Sequence, residues 1–181
     1  MLRRLRVTAA AIATGIARTL LTRREASVQL VPGDRAPAFE LKGSDGRLHR
    51  LADHVGRSAV VLAWFPKAFT GGCTAECRSL TSSGDVLRRF DVKYFAASVD
   101  DPDTNTEFAA SLGVDYPILS DPDGTVARAY GVMAASGFPH RWTFFIGVDG
   151  RVLAIDTQVS AASHGTAIAD RLRALGVRER L

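Results

Sequence analysis

Residues 58–65 read Ser-Ala-Val-Val-Leu-Ala-Trp-Phe, apolar without a break after the first serine. The run is short and lacks the polar alternation that would leave one face in water, so it predicts a strand buried on both sides. Such a strand has to lie inside a sheet covered by helices, which makes the chain α/β. Directly after it comes Pro-Lys-Ala-Phe-Thr-Gly-Gly-Cys-Thr-Ala-Glu-Cys, residues 66–77, which holds both of the chain's cysteines. The cysteine pair therefore belongs at the carboxyl edge of a buried strand.

The flanking sequence supports the same architecture. Ala-Phe-Glu-Leu-Lys-Gly-Ser-Asp-Gly-Arg-Leu-His-Arg-Leu, residues 38–51, places Asp45 and Gly46 between short apolar stretches and predicts a β-hairpin near the amino terminus. Residues 74–90 have the spacing of a helix, with Thr74 or a neighbour as its cap, and 92–100 form a second buried strand. Asp101 and Pro102 open a helix that Gly113 stops. A short strand, an Asp-Pro-Asp-Gly turn and a short helix follow. Next comes a hairpin turning at Asp149 and Gly150, and an amphipathic helix from His164 closes the order. The expected fold is a mixed central sheet flanked by helices, with an N-terminal β-hairpin.

The chain has 181 residues, enough to bury a core without disulfide or metal staples. Its formal charge is +4, but Arg3, Arg4, Arg6, Arg18, Arg23 and Arg24 lie in the first 24 residues with no acid among them. The rest carries 17 basic against 19 acidic residues, so no basic surface for nucleic acid is expected there. The apolar run in the leader is too short to span a bilayer. Wound as a helix, Leu2, Leu5, Ala9, Ile12, Ile16 and Leu20 share a face that the arginines avoid. Residues 1–26 thus read as a basic segment: a tail, a membrane-surface helix contacting lipid through residues 2–20, or a targeting signal. The main domain is expected from residue 27 to 181, in the cytoplasm or against a membrane surface rather than exported.

Two cysteines in this setting admit three readings: a structural staple, a metal clip or a reactive pair. A cysteine at a helix start feels the positive end of the helix and free backbone N–H groups, which favour a thiolate. Gly71 and Gly72 let the backbone approach a small ligand, Thr70 can donate and accept, and Pro66 can shield the pocket from water. Against this stands inert packing, the common fate of a free cysteine.

The pattern Pro66-x-x-x-Thr70-x-x-Cys73 resembles the active-site motif of the peroxiredoxins, and Phe-Pro-Lys-Ala-Phe-Thr-Gly-Gly-Cys-Thr-Ala-Glu-Cys looks most like the bacterioferritin-comigratory or PrxQ branch. The likeness runs over residues 27–181 and takes in Pro-Gly-Asp-Arg-Ala-Pro-Ala-Phe-Glu-Leu, Asp-Pro-Asp-Gly and His-Arg-Trp-Thr-Phe-Phe-Ile-Gly-Val-Asp-Gly. The resemblance implies a thioredoxin-like fold and thiol-dependent reduction of hydrogen peroxide or organic hydroperoxides. It implies a peroxidatic role for Cys73, peroxide binding by Thr70 and the Cys73 N–H, and a second active-site cation at Arg141. No flavin, haem or metal is implied. The partner is a thioredoxin-like or other thiol reductant, and the expected state is a monomer or weak dimer.

Cys77 departs from that branch, whose resolving cysteine commonly lies five residues after the peroxidatic one rather than four. Cβ atoms at i and i+4 of an intact helix stand about 5–6 Å apart, against about 3.5–4.5 Å in a disulfide. A resolving role for Cys77 therefore requires local unwinding. Two competitors remain: a Sco-like copper chaperone built on Cys73, Cys77 and His140, and a thiol-disulfide oxidoreductase, which the missing Cys-x-x-Cys disfavours. Glu76 reads as a surface carboxylate that could tune the site. Trp64, Phe65, Trp142, Phe144 and Phe145 read as core or pocket wall, and Asp100, Asp101 and Asp103 as a helix-start cluster.

Overall fold

The computed structural model describes residues 29–180. The readings placed on the leader, including the boundary at residue 27 and the contact through residues 2–20, lie outside the described residues. Among those described, no helix is long and apolar enough to cross a membrane.

The predicted double-sided strand is β3, Ala59–Trp64, every residue of which is buried. It pairs in parallel with β4, Val92–Ser98, and antiparallel with β6, Thr143–Ile146. β5, Ile118–Ser120, continues the parallel side, and the hairpin of β1, Glu40–Gly43, and β2, Leu48–Arg50, closes that edge. β7, Val152–Asp156, closes the other, giving the order β2-β1-β5-β4-β3-β6-β7.

Side-chain alternation along β3 splits the core into two layers. Val61, Ala63 and Phe65 face a layer with Leu80, Phe108, Ile118, Phe145, Ile168 and Leu172. Val60, Leu62 and Trp64 face Phe39, Leu41, Tyr130 and Phe144. The first layer is roofed by α1, Gly71–Ser82, α3, Pro102–Leu112, and α5, His164–Ala174. The second is closed by the N-terminal hairpin and α4, Thr125–Ala129. Each large apolar side chain removed from water this way contributes about 1.5–3 kcal/mol.

The start and stop signals around α3 act as read: Asp101 accepts from the Thr104 N–H at 2.9 Å, Pro102 occupies the first turn, and Gly113 ends the helix at φ 60°. The helix expected over 74–90 differs at both ends. It begins at Gly71 because Thr70 is extended and its carbonyl already accepts the Thr74 N–H at 2.9 Å. It breaks at Ser83, where two serines and Gly84 weaken it, and resumes as the single turn α2, Gly84–Leu87.

Candidate active site

The chain leaves β3 through Phe65 and must reverse into α1 within five residues, Pro66 to Thr70. Two contacts hold that turn. The Ala68 N–H donates to Asp100 Oδ2 at 2.8 Å, and the Thr70 hydroxyl donates to the Lys67 carbonyl at 3.0 Å. Phe69 adopts φ 60°, a left-handed conformation that costs a non-glycine residue about 1–2 kcal/mol. Its ring is 57% exposed yet packs on Phe108 with centroids 5.0 Å apart, which offsets part of that strain.

Because α1 begins at Gly71, Cys73 sits inside the first helical turn, where backbone N–H groups lack intrahelical acceptors. The positive end of the helix is therefore at the sulfur. Cys73 is 1% exposed. Arg141, just ahead of β6, reaches it from the side: Nη2 donates to Cys73 Sγ at 3.3 Å. A Cβ on Gly72 would lie 3.1 Å from that same Nη2, so the absent side chain leaves the guanidinium its path.

The other arm of Arg141 pairs with Glu76 Oε2. Glu76 lies one turn beyond Cys73 on the same helix face and is 2% exposed. The expectation of a surface carboxylate is thus corrected: Glu76 turns inward because its cationic partner lies under α1. Its other oxygen, Oε1, stands 2.9 Å from His164 Nδ1, though off the line of a well-formed hydrogen bond. The ring's far nitrogen, Nε2, is 2.7 Å from Thr143 Oγ1. Burial pushes the His164 ring down to about 4, with the Arg141 charge adding to the effect and Asp156 opposing it. α5 can come this close because the residue after His164 is Gly165, whose Cβ would meet the Ser79 carbonyl at 2.3 Å.

Cys77 lies one turn deeper with no exposed surface, and both cysteines are free thiols. Burial pushes its thiol up to about 12, offset in part by the neighbouring Tyr116 hydroxyl. The Cys77 carbonyl accepts from the Tyr116 and Thr81 hydroxyls, each at 3.0 Å, which anchors this turn of α1. At neutral pH Cys77 is a protonated, covered thiol, so it reacts only once the turn opens.

The structure brings Cys73, Arg141 and Cys77 together beside the turn that holds Pro66, half buried, and Thr70, exposed. It does not bring in His140. That ring stacks on Trp142, with centroids 5.2 Å apart at 16°, and both line a separate cavity of about 500 Å³ with Leu30, Tyr130 and Met133. Among the described residues no group of three His, Cys, Asp or Glu side chains is placed to hold a metal, which removes the support for the copper reading. Asp100 and His164 were missed as parts of the site, and Gly72, expected to admit a small ligand, also makes room for Arg141. Glu76 carried a signal in its position three residues after Cys73; His164 carried none, because its reach depends on how α5 packs.

A sequence model of the AhpC/TSA family matches residues 32–155, from the opening loop into β7. The chain belongs to this family. It is 30% identical over 151 residues to Peroxiredoxin Bcp of Escherichia coli, an alignment covering 80% of this chain and 96% of that one. The crystal structure of peroxidoxin BcpB from Mycobacterium tuberculosis superposes with a TM-score of 0.74 at 32% identity, covering 81% of this chain and 98% of that one. The bacterioferritin comigratory protein of Xanthomonas campestris, whose structure is described for its alkyl peroxide reduction activity, gives a TM-score of 0.70 at 26% identity, covering 75% and 90%. The mixed sheet is thus the thioredoxin-like fold that the resemblance implied, and this peroxiredoxin is a thiol-dependent peroxidase.

Proposed function

We propose that this peroxiredoxin reduces hydrogen peroxide and organic hydroperoxides through Cys73, with Cys77 as the resolving thiol. The observation that carries the reading is the Arg141 Nη2 donor 3.3 Å from a cysteine sulfur in the first turn of a helix. A thiolate at Cys73 attacks the terminal peroxide oxygen. The O–O bond breaks as the S–O bond forms, and the leaving oxygen departs as water or an alcohol after taking a proton. Arg141 and the open N–H groups of the first turn face the charge that moves through this step. Thr70 and Pro66 border the pocket as peroxide-binding and water-excluding groups.

The Cys73 sulfenic acid then condenses with the Cys77 thiol, releasing water and leaving a disulfide. A thioredoxin-like dithiol returns the two electrons by exchange through a mixed disulfide. Because a buried thiol pushed up to about 12 does not ionise in place, condensation follows unwinding of α1 between the two cysteines. No metal or organic cofactor enters the cycle, and the protein acts as a monomer or weak dimer. Organic hydroperoxides are included because the Xanthomonas relative is described for alkyl peroxide reduction.

Stopped-flow peroxide consumption by wild type and Cys73→Ser, with melting curves to establish the fold, tests the assignment. Loss of consumption in a folded Cys73→Ser variant supports it, and wild-type turnover in that variant ends it.

A further inference from the structure

Beneath the Cys73 sulfur the side chains form a row. Arg141 reaches the sulfur through Nη2 and Glu76 through Nη1, while Glu76 Oε1 and His164 Nδ1 stand 2.9 Å apart, off the line of a well-formed hydrogen bond and with no other hydrogen-bond partner for either atom. His164 in turn faces Thr143 Oγ1 at 2.7 Å. Arginine and glutamate side chains are long and flexible, so a guanidinium held only by Glu76 Oε2 has freedom to swing away from the sulfur. The row ends on a short, stiff residue of the central sheet, Thr143, which shares a strand face with Phe145 and is fully buried.

We propose that His164 is a positioning residue for the reaction: as a neutral ring protonated on Nδ1, it holds Glu76 Oε1 and so keeps Arg141 aimed at Cys73. An ionised carboxylate only accepts, so the nitrogen facing it must carry the proton, and Nε2 is left to accept from the Thr143 hydroxyl. The charged groups around the ring are Glu76 from α1, Arg141 ahead of β6 and Asp156 at the end of β7. Burial first, and the Arg141 charge beside it, disfavour a second cation on the ring, in keeping with its downward shift to about 4. His164 does not touch the peroxide; it acts through Glu76 and Arg141. The inference rests on Cys73 being the attacking thiol.

Two measurements on the full chain test it. Nitrogen-15 NMR of labelled histidines in the wild type should show His164 as the Nδ1–H tautomer at neutral pH; the Nε2–H tautomer, or an ordinary histidine titration, overturns the proposal. In the second, His164→Leu should lower the peroxide rate constant of Cys73 about tenfold, while His164→Gln, whose amide N–H can face Oε1, should recover most of that loss. A folded His164→Leu variant with the wild-type rate, or equal loss in both variants, overturns it. The NMR result decides if His164→Leu does not fold. Failure of the Cys73 assignment looks different: Cys73→Ser then keeps consuming peroxide, whatever the tautomer of His164.

Discussion

Arg141 divides its guanidinium between Cys73 and Glu76: Nη2 donates to the sulfur at 3.3 Å while Nη1 pairs with a carboxylate that is 2% exposed. The two contacts have different consequences. The pair with Glu76 compensates a buried charge and holds α1 to the strand layer, whereas the contact with Cys73 is available for chemistry.

Arg141→Ala should therefore fail in two separable ways. The peroxide rate constant should fall by at least about tenfold, since a preorganised donor at a reacting atom is worth a few kcal/mol. Stability should fall by about 3–5 kcal/mol, the usual cost of leaving one member of a buried pair alone. Arg141→Lys should restore only part of the rate, because an ammonium lacks the planar fork that serves both partners. Stopped-flow kinetics and urea unfolding of the same samples check both effects; an unchanged rate in folded Arg141→Ala contradicts the role given to it.

Gly72→Ala separates the site from stability in the opposite sense. Alanine is the better helix former by about 1 kcal/mol, so α1 should be as stable or more so. The new Cβ would sit 3.1 Å from Arg141 Nη2 and nudge that nitrogen off the sulfur while Nη1 keeps its pair with Glu76. The expected result is a melting temperature at or above wild type with a rate constant several-fold lower, on the order of the cost of a displaced donor. A slower rate with a lower melting temperature points instead to damage in the helix.

The buried His164 ring makes stability depend on acid. Its ordinary value is 6.5, and in the fold burial holds it down to about 4, so between these values the unfolded chain binds a proton that the folded chain refuses. This contribution is fully present above 6.5 and is lost as the pH falls towards 4, by up to about 3 kcal/mol. Below that window the group adds no further loss. Urea unfolding at pH 7.5, 5.5 and 4.5 should show a steeper decline in wild type than in His164→Gln, and parallel declines would contradict this account.

Much of the fold was legible because its signals are local. β3 announced itself by being apolar on both faces, α3 by Asp101, Pro102 and Gly113, and the two hairpins by Asp45-Gly46 and Asp149-Gly150. The start of α1 was misplaced because two glycines in a row read as loop, while in the fold both occupy the first turn and Gly72 leaves room for Arg141. Cys73, Thr70 and Pro66 were legible as a spaced motif, and Arg141 only through the likeness of the late hairpin. His164 and the inward turn of Glu76 were not, because both follow from α5 closing on α1 at Gly165, a contact between segments 86 residues apart. His140 drew attention as a third copper ligand beside Cys73 and Cys77, but it stacks on Trp142 in a separate cavity while its neighbour Arg141 turns to Cys73.

The central claim is that Cys73 takes the oxygen and Cys77 removes it. Intact-mass and peptide-mapping spectrometry after one equivalent of peroxide tests this most directly, on the full chain with free thiols blocked at quench. The account predicts a monomer lighter by two hydrogens, with one disulfide joining Cys73 to Cys77 and neither thiol blocked. A persistent Cys73 sulfenic acid with Cys77 still open to alkylation, or a disulfide between two chains, would contradict it.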